Sequence, residues 1–267
     1  TIPSIPFMHL TFYKYQGTGN DFIILDNREG KITLTPQQIN KLCDRKFGIG
    51  ADGLMMLNAS NNKYDFEMYY VNADGKPSSM CGNGGRCLTK FAYDMGMKKD
   101  AYKFIAIDGE HDATLADNNW INLKMKDVNA IENKNGDYIV DTGSLHFVKN
   151  VNDVMNVNVY KEGHEIRYSK EFEENGINVN FVEVTDEDAI TVRTYERGVE
   201  NETLSCGTGA TASALVYYHN ETGFNRIEIK TLGGNLAVEF NRISENVYNN
   251  IWLCGPATFV FKGEIEI

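Results

Sequence analysis

The strongest constraint on the fold is a motif that the chain writes twice. A β-like run, DFEMYYV at 65–71, leads through the polar turn NADGKPSS into Cys-Gly-Asn-Gly at 81–84 and a helical segment. A second β-like run, AITVRTY at 189–195, leads through ERGVENETL into Cys-Gly-Thr-Gly at 206–209 and another helical segment. Two similar units are implied, with a boundary near KMKDVNAIEN. Both helices carry apolar residues on more than one face: Leu88, Phe91, Ala92 and Met95 in the first, and Ala210, Ala212, Ala214, Leu215 and Val216 in the second. A helix of that kind is enclosed by sheet rather than laid on a surface.

The remaining pattern is dominated by short strand-like runs separated by Gly, Asn and Asp clusters such as DNREG, ADNN, ENKNGD and LGGN. This is the punctuation of hairpins, so an antiparallel β pattern is expected. Helix is expected only in TPQQINKLCDRKF, RCLTKFAYDMGMK, YSKEFEENG and ATASALVYYHNETG. Long alternation of helix and strand is missing, which argues for an α+β class and against a doubly wound sheet.

Charge and motif grammar remove several function classes. A formal charge of -11 repels phosphate backbones and no Lys/Arg stripe offsets it, so nucleic acid is excluded as a partner. No apolar run reaches the roughly 18 residues that a membrane span needs, and the first residues lack a secretory layout, so no membrane partner and a cytoplasmic location are expected. The N-x-S/T matches at Asn58, Asn201 and Asn220 carry no weight in such a chain. GIGADG at 48–53 fits G-x-G-x-x-G, but a helix-like segment precedes it and a strand-like one follows, the reverse of a dinucleotide site. The glycine-rich turns also lack the Gly-Lys-Ser/Thr ending of a P-loop. The five cysteines, Cys43, Cys81, Cys87, Cys206 and Cys254, show no C-x-x-C pair and no zinc spacing, so neither a disulfide framework nor a metal is expected. Cys43, Cys87 and Cys254 read as small buried hydrophobes.

Cys81 and Cys206 read differently because each stands directly before a helix. A helix start offers unpaired N–H groups and the positive end of the dipole, and glycines there let a ligand approach the backbone closely. A carboxylate fits such a place, and a cysteine there has its pKa pulled below about 8.5. Two such thiols facing one another supply a base on one side of a carbon and an acid on the other, which is what inversion of that centre requires. The carbanion between the two steps spreads charge into the neighbouring carboxylate, where the helix ends stabilise it without a cofactor. Tight strand-to-helix turns with incidental cysteines are the plainer alternative for each motif singly; their repetition on equivalent elements favours chemistry.

From YKYQGTGNDFIILDNR through FGIGADGL, VNADGKPSSMCGNGGRC, INVNFVEV and YERGVENETLSCGTGA to LCGPATFVFKG, the chain resembles the diaminopimelate epimerase family over nearly its whole length. The related proline racemases share a Met-Cys-Gly core but typically continue with His, where this chain has Asn83. The resemblance implies two similar domains, each an antiparallel sheet or barrel wrapped around a central helix, covering 1–124 (completed by 256–267) and 125–255, with the active site in the cleft between them. It implies cofactor-independent conversion of LL-2,6-diaminopimelate to the meso form in lysine and peptidoglycan precursor synthesis, by a homodimeric enzyme. Cys81 and Cys206 become the catalytic thiols, with Glu196 and His146 influencing their protonation. Gly82, Asn83, Gly207 and Thr208 become the amides that hold the reacting carboxylate. Asn20, Asn72, Asn178, Glu196 and Arg197 fall at substrate-binding positions, the arginine suiting the distant carboxylate. Departures are Ser144 and Leu145 where the family often has Asn-Pro, Gly53 where some members bind substrate with glutamine, and Phe261 where tyrosine is common. A proline or hydroxyproline racemase and a non-catalytic amino-acid-binding protein are the alternative functions.

Overall fold

The chain enters β1 (His9–Gly17) and turns through Thr18 and Gly19, at φ 47° and 85°, into β2 (Asn20–Asn27), with Gly17 paired to Asn20. Two consecutive positive φ values give the hairpin turn whose twist matches its strands, although a β-branched residue there is strained. This structure is a computed structural model, and it describes residues 8–61, 63–217 and 222–267. Thr35 then starts α1 (Pro36–Cys43), its side chain accepting from the Gln38 N–H while the Gln38 side chain accepts from the Thr35 N–H. β3 (Gly53–Asn58) returns parallel to β2, and β4 (Phe66–Asn72) runs antiparallel to β3. α2 (Gly82–Asp94) leads to β5 (Ala101–Ala106), parallel to β4, and β6 (Gly109–Leu115) closes antiparallel on β5.

The second unit repeats this plan. β7 (Ile121–Lys124) and β8 (Ile131–Lys134) precede β9 (Asp137–Asp141) and β10 (Leu145–Asn150), and Asn135 and Gly136, at φ 56° and 98°, make the β8–β9 turn. α3 (Val159–Arg167) crosses to β11 (Asn178–Asp186), parallel to β10; β12 (Ala189–Glu196) is antiparallel to β11 and carries the short β13 (Asn201–Thr203). α4 (Gly207–Val216) crosses to β14 (Gly223–Thr231), parallel to β12, and β15 (Gly234–Ser244) and β16 (Val247–Gly255) follow antiparallel, with β7 pairing along β16. β17 (Thr258–Glu266) then returns to pair antiparallel with β1 of the first unit.

Each unit therefore holds a mixed sheet, not a purely antiparallel one. The parallel pairs β2–β3, β4–β5, β10–β11 and β12–β14 all flank a helix, because a crossover brings the chain back to the end it left whereas a tight turn reverses it. The central helices are enclosed as expected. α2 touches β1, β2, β3, β6 and β17, and α4 touches strands from β9 to β16, so each sheet curls around its helix. Outside, α1 packs Ile39 and Leu42 on Ile23, Leu25 and Leu54, and α3 packs Val159 against Val179, Phe181 and Tyr195.

The chain divides between Leu115 and Ala116, not at 124/125, and rejoins the first unit at Ala257. β7 decides this, since its backbone pairs with β16 of the second unit. Both central helices begin earlier than expected, at the glycine after each cysteine. The helix expected at 168–176 is a set of turns; the helix lies just before it, started by the Asn158 side chain accepting from the Lys161 N–H. The end of the helix expected at 210–223 and the Asn220 match include 218–221, outside the described residues. Among the described residues no helix is long and apolar enough to cross a membrane.

Candidate active site

In the first unit the β1–β2 hairpin delivers Asn20 to the start of α2. Cys81 is the residue that begins this helix, in extended conformation, and its side chain makes no capping hydrogen bond. The first intrahelical bond is Gly85 N–H to Cys81 O at 2.7 Å, so the helix itself gives the N–H groups of Gly82, Asn83 and Gly84 no acceptor. The Cys81 thiol reaches Asn20 Oδ1 at 3.6 Å, and Asn83 Nδ2 donates to the same oxygen at 3.4 Å. Asn20 Nδ2 in turn donates to Asp52 Oδ2 at 2.6 Å. Arg45 bridges Asp52 and Asp21 at 2.7 and 2.6 Å, and Lys14 pairs with Asp21 at 2.6 Å. Burial opposes ionisation of Asp21, yet Arg45 and Lys14 hold its carboxyl well below the usual range. Asn72 lies at the end of β4 opposite Gly53, the residue after Asp52, with its side chain exposed.

Beneath the same helix start lies Arg86, fully buried. Its guanidinium donates to Asn83 Oδ1 at 3.0 Å, Gly82 O at 3.3 Å and Thr18 Oγ1 at 3.4 Å, tying the strained hairpin to the first turn of α2. Burial pushes the neighbouring Cys87 thiol up to about 12 and the Cys43 thiol up to about 11, in line with their role as small hydrophobes.

The second unit surrounds its own cysteine with different material. Cys206 begins α4, again extended and without a side-chain cap, and the first helical bond runs from Ala210 N–H to Cys206 O at 2.8 Å. The Thr208 hydroxyl lies 3.5 Å from Cys206 Sγ, 2.9 Å from His146 Nε2 and 3.2 Å from Ser144 Oγ, and Ser144 Oγ is itself 2.9 Å from His146 Nε2. His146 is fully buried, and that burial pushes its pKa down to about 3, so the imidazole is neutral. Asn178 starts β11, where its Oδ1 accepts from the Arg197 N–H at 2.9 Å and its Nδ2 donates to Leu145 O at 3.1 Å. Glu196 accepts from the Thr203 hydroxyl at 2.9 Å, and the exposed Arg197 donates to Asn175 O at 2.8 Å. Among the described residues no group of His, Cys, Asp and Glu has the makings of a metal site.

Strand register shows the likeness of the two units. Phe22 pairs with Gly53 as His146 pairs with Asn178, and Met55 pairs with Tyr70 as Asn180 pairs with Thr194. Under α2 the counterparts are Phe22, Met55 and Tyr70, hydrophobic but for one phenol hydroxyl; under α4 they are the polar His146, Asn180 and Thr194, all buried. Sequence inspection passed over Asp52, Arg86, Asn180 and Thr194 as site residues. Arg86 had a signal, since it lies within the cysteine motif; Asn180 and Thr194 sit inside strand patterns where nothing local marks them.

The chain matches the profile of the diaminopimelate epimerase family over residues 12–131 and 138–260. It is 48% identical to a diaminopimelate epimerase of Flavobacterium psychrophilum, covering 96% of this chain and 100% of that one, and 41% identical to one of Chlorobaculum tepidum, covering 94% and 99%. Among solved structures it is similar to a phenazine biosynthesis protein of the PhzF family from Bacillus anthracis, with TM-score 0.76, 15% identity and coverage of 97% and 100%. It is also similar to a hydroxyproline epimerase from Agrobacterium vitis, with TM-score 0.65, 12% identity and coverage of 98% and 93%. At such identities the structures share the fold alone, whereas the profile and the curated relatives span the whole arrangement of cysteine motifs. The chain belongs to the diaminopimelate epimerase family.

Proposed function

We propose that this chain is a diaminopimelate epimerase, an isomerase that interconverts LL-2,6-diaminopimelate and the meso form by a two-base proton transfer without a cofactor. One thiolate takes the α-proton and becomes a thiol; the electron pair left on carbon delocalises into the α-carboxylate; the other cysteine gives its proton to the opposite face and becomes the thiolate. The mechanism needs both sulfurs at one carbon. The N–H groups of Gly82, Asn83, Gly207 and Thr208 hold the α-carboxylate and meet the charge that develops on it. Arg197 holds the distant carboxylate, and Asn20, Asn72, Asn178 and Glu196 bind the rest of the substrate, its amines included. His146 acts through hydroxyls on Cys206.

The observation that carries this function is that two cysteines, on equivalent elements of two similar units, each begin an enclosed helix with no side-chain cap. The test is turnover of LL-diaminopimelate in heavy water by the wild-type chain, Cys81→Ala and Cys206→Ala. The wild type is expected to form the meso isomer with deuterium at one α-carbon, and each variant to lose at least about a thousandfold in kcat. Epimerisation retained by either variant, or a preference for proline over diaminopimelate, refutes the assignment. The proposal includes a cytoplasmic location and a homodimer, the dimer supported by β17, where Phe259 and Phe261 on one face and Val260 on the other are 48%, 44% and 50% accessible.

A further inference from the structure

The polar cluster beneath α4 has a hydrogen-bond direction that one buried amide settles. Asn180 is fully buried. One end of its amide lies 3.1 Å from the Phe147 carbonyl oxygen and 3.1 Å from His146 Nδ1; the other accepts from the Thr194 hydroxyl at 2.9 Å. A carbonyl oxygen only accepts, so the end facing Phe147 is the NH2 group. The same NH2 donates to Nδ1, which therefore carries no proton. Neutral imidazole then bears its hydrogen on Nε2. Charged groups acting on the ring are Asp141, which favours protonation, and Arg197, which opposes it; burial outweighs both.

Nε2–H points into the hydroxyl pair. Ser144 Oγ and Thr208 Oγ1 each lie 2.9 Å from it and 3.2 Å from one another. A hydroxyl that accepts from the ring or from its neighbour turns its own hydrogen outward, and for Thr208 the next acceptor is Cys206 Sγ at 3.5 Å. The chain of donors runs one way, from Asn180 through His146 and the hydroxyls to the sulfur. Cys81 meets the opposite polarity: Asn20 spends its NH2 on Asp52 and presents Oδ1 to the sulfur, an acceptor suited to S–H. Ser144, where the family often has asparagine, is thus part of the donor chain.

We propose that Asn180 is a positioning residue that fixes His146 in its Nε2–H form, makes the Ser144 and Thr208 hydroxyls donors toward Cys206 Sγ, and so holds Cys206 as the resting thiolate while Cys81 rests as the thiol. The kinetic meaning of this rests on the two-thiol function above; the tautomer and the ionised sulfur do not. In 15N-histidine-labelled protein, two-bond proton–nitrogen spectra, with His146 assigned by its loss in His146→Gln, are expected to show Nε2 protonated and Nδ1 bare. In Asn180→Asp the carboxylate accepts from Nδ1–H, so the protonated nitrogen is expected to exchange. Iodoacetamide labelling followed by peptide mass spectrometry is expected to modify Cys206 faster than Cys81 in the wild type. In a Cys81→Ala background, Cys206 should label about tenfold slower once Asn180→Asp is added, the size of one lost charge-assisted hydrogen bond. A wild-type His146 protonated at Nδ1, or faster labelling at Cys81, overturns the proposal without any Asn180 variant needing to fold. An unchanged Cys206 rate alongside an exchanged tautomer overturns it too. Neither readout uses diaminopimelate, so a lack of turnover would count against the function and leave this assignment standing.

Discussion

Gly84 and Gly209 occupy the same place in the first turns of α2 and α4, yet replacing each by alanine should have very unequal consequences. A methyl on Gly84 would sit 3.3 Å from Met55 Sδ, 3.5 Å from Phe22 Cζ and 3.6 Å from Met68 Cε. Thioethers yield readily, and alanine lowers the entropy that glycine loses in a helix, so Gly84→Ala should lie within about 1 kcal/mol of wild type. A methyl on Gly209 would run into Asn180 Oδ1 far inside van der Waals contact and lie 3.3 Å from His146 Cε1. Asn180 cannot retreat without breaking its bonds to Thr194, Phe147 and His146. Stranding a buried polar group costs about 1–3 kcal/mol and overpacking a similar amount, against a helix gain of at most about 1, so a net loss of about 2–4 kcal/mol is expected. Urea unfolding of the two variants side by side measures the difference. A Gly209→Ala protein as stable as Gly84→Ala would refute the claim that the amide is held rigidly under the helix.

The buried His146 gives a pH signature: its folded pKa, about 3, lies below the ordinary 6.5, so the unfolded chain takes up the proton first and stability falls as pH drops from about 6.5 toward 3. Between pH 6.5 and 5 the wild type should lose about 2 kcal/mol more than His146→Gln, read from unfolding midpoints at the two pH values; equal losses would contradict a buried neutral ring. Asp52→Ala should lower kcat about tenfold by letting the Asn20 amide turn, while stability moves by less than about 1 kcal/mol because its partly exposed ion pair with Arg45 contributes little. Arg86→Met should destabilise by about 3 kcal/mol, since Asn83 Oδ1 and Gly82 O lose a buried donor; a neutral effect in urea unfolding would mean that packing alone holds the helix start. For the proposed homodimer, Phe261→Glu on β17 is expected to give a monomer in sedimentation where the wild type gives a dimer, and a wild-type monomer or an unchanged oligomer would remove Phe261 from any such contact.

Much of the fold was legible because its signals are local. Thr35 and Gln38 announce α1, Asn135 and Gly136 announce a hairpin, and the all-round apolar helices after the two cysteines announce enclosure. Hairpin punctuation suggested antiparallel pairing and missed β2–β3 and β10–β11, since whether a crossover returns a strand beside its predecessor depends on packing across the unit. The boundary slipped for the same reason: nothing within KMKDVNAIEN tells that β7, which ends on its first residue, Lys124, pairs with β16.

By itself the sequence determined the doubled cysteine motif, the helix starts behind it and, through the family's residues, the chemistry to look for. Those are matters of residue type and near-neighbour spacing, which the backbone reads within a turn or two. Only the tertiary structure decided that Arg86 is buried against Thr18, 68 positions away, and that Asn180 orients His146 across 34 positions of chain. Burial and hydrogen-bond direction are properties of what surrounds a group, and the surroundings here arrive from distant strands.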